Sequence, residues 1–69
     1  MIGKPIAVLD SQDDVICIGL VAGVVDFDEL RIMIVESTAD YEANKTYNFN
    51  KNNVRFSFNP SIIMKKKNQ

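Results

Sequence analysis

Three carboxylates in a short acidic stretch are the first candidates for chemistry in this chain. Asp26, Asp28 and Glu29 are arranged like the first positions of a calcium-binding loop. The next positions hold Leu30 and Arg31, however, where such a loop needs a further oxygen ligand and a glycine. We therefore expect a charged hairpin loop at this point and predict no metal site.

Nucleophiles and acid–base groups are otherwise scarce. The chain has no histidine, and its serines stand in no motif that would activate a hydroxyl group. Its one cysteine, Cys17, lies inside an apolar run, where a thiol normally packs as a small hydrophobic side chain. A single cysteine forms no internal disulfide and fits a reducing setting. We expect no catalytic residue and no cofactor.

The elements that carry these residues are predicted to be β-strands. The runs 15–25 and 30–35 are rich in β-branched side chains, which favour strands over helices. The acidic stretch 26–29 between them has the length of a hairpin loop. The first run is also too short to cross a membrane as a helix, which needs about 20 apolar residues, and we expect no membrane association.

The remaining segments repeat this pattern. Residues 5–9 are predicted to form a first strand, and residues 45–50 and 54–58 to form a hairpin around 51–53. The connection 37–44 is predicted to be a loop, with a helical turn as the alternative. Residues 62–64 are predicted to add a last strand.

These segments make one small all-β domain, residues 1–64, followed by a basic, mobile tail, residues 65–69. The predicted fold is a five- to six-stranded antiparallel barrel or a strongly curved sheet. SH3-like and Sm-like barrels are the architectural analogy, and this analogy carries no function.

The second predicted strand is apolar on both faces, and such a strand is normally covered on both. Either another copy of the chain covers its outer face, or residues 62–64 fold over it as an internal lid. The candidate self-association face consists of Val21, Val25, Met33 and Val35.

Charge is divided between the two parts of the chain. Residues 1–44 carry a formal charge of −7, whereas residues 45–69 carry +6 and contain no acid. Three interpretations fit this division: a basic surface that meets nucleic acid, packing of the tail on an acidic body, or solvation of a small domain.

Candidate contacts to a partner or to nucleic acid lie in the basic part: Asn48, Lys51, Arg55, Lys65, Lys66 and Lys67. Nucleic acid binding needs cations for phosphates and rings on which unpaired bases stack. The aromatic residues of the 45–58 hairpin alternate with polar ones, however, and fall on the face opposite Arg55. We therefore expect these rings to pack in the core.

The sequence thus predicts a small cytoplasmic, non-catalytic module that binds another protein, such as an inhibitor or an assembly factor. A nucleic-acid-binding barrel that uses the basic C-terminal third is the alternative. Richness in Asn, Lys and Ile is compatible with a small gene of a phage or mobile element.

Overall fold

The computed structural model describes residues 1–38 and 40–65. This part of the chain contains five strands and one short helix. The strands are β1 (Pro5–Leu9), β2 (Val15–Asp26), β3 (Glu29–Ser37), β4 (Thr46–Asn50) and β5 (Arg55–Ser57), and the helix is α1 (Pro60–Lys65). The predicted all-β fold is confirmed, and the first strand has the predicted bounds.

All five strands belong to one antiparallel sheet in the order β4-β3-β2-β1-β5. The sheet is curved, since the four residues 51–54 are enough to connect β4 to β5 although these strands are its two edges. The two edges do not pair with each other within the described residues, so the sheet is not closed into a barrel. Of the two predicted architectures, the curved open sheet is the observed one.

Irregular pairing along β2 explains how so small a sheet curves. The β2–β3 register shifts at three places, and each shift bends the strand and increases its twist. At Gly19 the two backbones approach closely. A Cβ atom there would overlap the carbonyl oxygen of Met33 and lie 2.8 Å from Cγ2 of Ile32. Only glycine fits this position without a shift of β3.

The main core lies on the concave face of the sheet. Its buried members come from the four strands β1 to β4: Ile6, Val8, Cys17, Val21, Ile32, Ile34 and Phe49. Half-buried aromatic side chains close its rim, among them Tyr41, Tyr47, Phe56 and Phe58. The aromatic residues of β4 and β5 therefore pack against the core, as predicted. The predicted hairpin of residues 45–50 and 54–58 is wrong, however, because within the described residues β4 pairs with β3 and β5 pairs with β1, at opposite edges of the sheet.

A second, smaller core lies on the convex face, where α1 packs. Ile62 and Ile63 of the helix contact a cluster formed by Ala7, Leu9 and Ile18. The predicted last strand at residues 62–64 is therefore wrong, because these residues are helical. The physical reason is a cap that precedes them.

The cap of α1 is Asn59. Its side-chain Oδ1 accepts a hydrogen bond from the backbone N–H of Ser61 at 2.9 Å, and Pro60 occupies the first helical position. Asparagine is a favoured N-cap residue, and proline suits the first position because the N–H that it lacks has no partner inside a helix. This local signal outweighs the strand preference of two isoleucines in succession.

The position of α1 explains why the beginning of β2 is apolar on both faces. Cys17 faces the concave core, and Ile18 faces the cluster under α1. The internal lid is thus formed by this chain itself, as a helix and not as a strand. It covers β1 and the first part of β2 and leaves the far end of β2 uncovered, where Val24 and Val25 are exposed.

Candidate functional site

The β2–β3 hairpin ends in a two-residue turn, Phe27 and Asp28, because Asp26 already pairs with Glu29. The predicted four-residue loop is therefore shorter in the structure. Neither turn residue has a positive φ, so the turn is not one of the primed types that usually close such hairpins. A register shift between Val24 and Asp26 accommodates the difference in twist.

The tip of this hairpin exposes a large apolar surface. Phe27 is 88% exposed, the largest exposed fraction among the large hydrophobic residues, and Val24 and Val25 are 58% and 44% exposed. Single exposed apolar residues are normal on a protein surface. Here three lie within four successive positions of one projecting element, and none of them contributes to either core cluster.

The tip is held in place although Phe27 itself is not packed. The backbone N–H of Phe27 donates to Oδ1 of Asp26 at 2.8 Å, and the N–H of Lys51 donates to the carbonyl of Asp28 at 2.8 Å. The second bond ties the tip to the turn between β4 and β5. The Lys51 ammonium lies 6.0 Å from the centre of the Phe27 ring. The ring is therefore presented from a fixed backbone.

Sequence reasoning missed Phe27, because an acidic stretch predicts a solvated loop. The available signal was its position, since tight hairpin turns favour Asn, Asp and Gly. A phenylalanine in such a turn breaks the local preference, and burial within the chain does not compensate for it. Residues that break local rules in this way are concentrated at functional sites.

Two of the candidates in the basic part, Asn48 and Arg55, lie on different strands of the sheet. Asn48 lies on β4, where its Oδ1 accepts a hydrogen bond from Nε of Arg31 at 3.2 Å. Arg55 lies on β5, the opposite edge of the sheet, and pairs with Asp13 in the turn between β1 and β2. Both partners of that ion pair are mostly exposed, so we expect it to contribute little stability.

The lysine cluster falls largely beyond what the structure describes. Lys65 is the last residue of α1, so the helix extends into the segment predicted to be a mobile tail. Lys66 and Lys67 lie outside the described residues. Their role in contacting an acidic partner or nucleic acid stays a prediction.

One of the four residues predicted to form the self-association face, Val21, is buried in the structure. Val21 is 1% exposed and belongs to the main core, so it is not part of any outer face. Val25 and Val35 are exposed, and Met33 is half-buried. Met33 lies in mid-sheet opposite Leu20, whereas Val25 lies at the hairpin tip. A shared contact surface for these residues stays a prediction.

An apolar groove of about 250 Å³ lies between the N-terminal segment and α1. Its lining consists of Lys4, Pro5, Phe58, Pro60, Ile63 and Met64. The one charged side chain, Lys4, has its ammonium 5.3 Å from the centre of the Phe58 ring. The groove brings no pair of acid–base groups together.

Burial makes the Cys17 thiol a poor nucleophile. The side chain is fully buried in the main core, and desolvation raises the pKa of the thiol from 9.0 to about 11. The reactive form of cysteine is the thiolate, which such an environment suppresses at neutral pH. In the residues that the structure describes, no three His, Cys, Asp or Glu side chains are grouped so as to hold a metal ion.

Comparison of the chain with protein-family models, curated proteins and solved structures finds no match. Within residues 1–38 and 40–65, no helix has the length and apolar character needed to cross a membrane.

Proposed function

We propose that the protein is a non-catalytic module that binds another protein through the tip of its β2–β3 hairpin. Phe27 is the anchor, and Val24 and Val25 extend the contact. The observation that carries this proposal is the 88% exposure of Phe27 on a backbone held by hydrogen bonds. A cytoplasmic inhibitor or assembly factor of a phage or mobile element is the role that we propose for such a module.

The energetics favour an apolar pocket on the partner. Removing a phenylalanine side chain from water contributes roughly 1.5 to 3 kcal/mol, which corresponds to about ten- to hundredfold in affinity. Aromatic residues are enriched at the centres of protein interfaces for this reason. The fixed turn also lowers the entropy lost on binding, since the backbone is ordered before the partner arrives.

Two observations support a protein partner over nucleic acid. The aromatic rings on β4 and β5 that would stack on bases are packed against the main core. The side chains flanking Phe27 are acidic, namely Asp26, Asp28 and Glu29, and they would repel a phosphate backbone.

The test compares two variants that each replace an exposed apolar residue. Phe27→Ser removes the proposed anchor, and Met64→Ser removes a side chain that is 56% exposed on α1. Both should unfold at nearly the same temperature as the wild type. In affinity capture from lysate of the source cells, we expect Phe27→Ser to lose the partner and Met64→Ser to retain it.

Equal capture by both variants would show that the hairpin tip is not the binding surface. If the captured material is nucleic acid and its retention falls steeply with salt, the alternative function replaces this one.

A further inference from the structure

The free edge of β4 is a second feature that fits binding. β4 is an edge strand, and its pairing with β3 runs without a register shift over all five residues. The bonds from the N–H of Ile34 to the carbonyl of Lys45 and from the N–H of Lys51 to the carbonyl of Asp28 fix which groups face β3. By the alternation of an antiparallel ladder, Tyr47 and Phe49 bond to β3, whereas Thr46 and Asn48 direct their N–H and C=O groups outward.

This edge lacks the features that usually prevent strand addition. Natural edge strands are shortened, bulged or protected by charges and proline. The other edge, β5, has only three residues and carries Arg55. β4 is longer and regular, and its sequence TYNFN contains neither a charge nor a proline.

The charges at its ends indicate what kind of strand would pair with it. Lys45 and Lys51 flank β4, and both are exposed. Lys45 makes a surface ion pair with Glu42, in which both side chains remain more than half exposed, and the Lys51 ammonium lies 6.0 Å from the centre of the Phe27 ring. Side chains at every second position of a strand share a face, so Lys45 and Lys51 lie on the same face of the sheet as Tyr47 and Phe49.

A second copy of this chain is a poor occupant. Antiparallel pairing of β4 with itself, centred on Asn48, would place Lys45 of each copy opposite Lys51 of the other. Like charges directly opposite each other destabilise a strand pair. An extended segment with acidic residues six positions apart would instead meet a lysine at each end.

We propose that β4 captures an extended, acidic-ended segment of a protein partner by strand addition. The outward groups of Thr46 and Asn48 and the N–H of Asn50 supply the backbone hydrogen bonds. Lys45 and Lys51 select the acidic ends, and the half-buried ring of Tyr47, which packs against Tyr41, lies beside the middle of the segment. The inference rests on the proposed function in that the partner is a protein. The segment makes no proposed contact with Phe27, although Lys51 lies beside its ring.

The probe is a capped heptapeptide, Glu-Thr-Val-Thr-Val-Thr-Glu, which reads the same in both directions and so serves either strand orientation. Its control has lysine in place of both glutamates. We expect the acidic peptide to bind the full chain about tenfold more tightly than the control, because two attractive pairs replace two repulsive ones. Added salt should reduce this difference.

Amide hydrogen exchange locates the binding. In the free protein, the amides of Tyr47 and Phe49 should exchange slowly and those of Thr46, Asn48 and Asn50 quickly. The acidic peptide should slow the second set. Equal affinity for the two peptides, or slowed exchange only outside β4, would overturn the proposal.

A matched pair of variants tests the backbone contribution. Asn48→Pro removes an outward N–H that β3 does not use, whereas Asn48→Ala keeps it, and both lose the bond to Arg31. We expect the proline variant alone to lose the peptide. Peptide binding by both variants would contradict strand addition, and if Asn48→Pro does not fold, the exchange experiment on the wild type decides.

Two further outcomes separate strand addition from self-association and from binding at the hairpin tip. If sedimentation shows a dimer that Asn48→Pro abolishes and Asn48→Ala retains, the occupant is a second copy and the acidic segment is wrong. Phe27→Ser should still bind the peptide, so a failure of the hairpin contact and a failure of the β4 edge are distinguishable.

Discussion

Replacement of Gly19 by alanine should destabilise this protein more than any other single-methyl insertion in the sheet. The added Cβ would overlap the carbonyl oxygen of Met33 and lie 2.8 Å from Cγ2 of Ile32. The obstacle is partly backbone, so a rotamer change does not relieve it and β3 must move. Insertion of a methyl group into a packed core costs about 1 to 3 kcal/mol, and we expect a value of about 2 to 3 here.

That loss is large for a chain of this size. At about 0.05 to 0.15 kcal/mol per residue, the whole domain has a free energy of unfolding of about 3 to 10 kcal/mol. For a domain of this length, each kcal/mol shifts the melting temperature by about 4 to 8 °C. Thermal unfolding followed by circular dichroism should therefore show a decrease of about 10 to 20 °C.

Gly23→Ala is the matched control. It lies in the same strand, has no atom within 4 Å of an added Cβ and does not have a positive φ. We expect its free energy of unfolding to stay within about 0.5 kcal/mol of the wild type or to rise slightly, because alanine restricts the unfolded chain. If Gly19→Ala proves as stable as Gly23→Ala, the close approach of β2 and β3 is not real.

Three further predictions concern the fold. Far-ultraviolet circular dichroism should show strands with helix well below about a third of the residues, and a larger helix signal would refute the sheet. Ile63→Ala should lower the free energy of unfolding by about 1 to 2 kcal/mol, because the side chain is half-buried between α1 and the sheet, whereas Met64→Ala at an exposed position should change it by less than about 0.5. Because the pKa of the Cys17 thiol is raised from 9.0 to about 11 in the folded state, stability should fall as the pH rises between these values, by up to about 1.4 kcal/mol per pH unit. Chemical denaturation at several pH values should show that Cys17→Ala lacks this part of the decline.

The strands were predictable because residue type and alternation agree along them. β1 and the β2–β3 hairpin follow from β-branched runs separated by polar turns, and the observed bounds differ from the predicted ones by a few residues at most. The helix α1 was missed because its signal is a cap, Asn59-Pro60, and not the periodicity of the residues that follow.

The position of Val21 shows what alternation alone does not reveal. The pattern correctly separates the two faces of β2 at this point but does not say which face is concave. Ile18 and Leu20 are larger than Cys17 and Gly19, so side-chain size favours the wrong face as the main core. Gly19 is small because the backbone of β3 approaches it at Met33, and not because its face lies outside the main core.

The proposed site was only partly predictable for a related reason. The sequence indicates the acidic turn, yet exposure of Phe27 depends on a two-residue turn set by a register shift at Val25. That shift arises from the pairing of whole strands. It could not be predicted from the local residue pattern.

Photo-crosslinking from position 27 tests the central claim most directly. A benzoylphenylalanine in place of Phe27 keeps an aromatic ring at the hairpin tip, and the same group in place of Met64 serves as the control on α1. On irradiation in the source cells, we predict one discrete protein adduct from position 27 and none from position 64. No adduct from position 27, or the same adducts from both positions, would contradict the assignment of the hairpin tip as the binding surface.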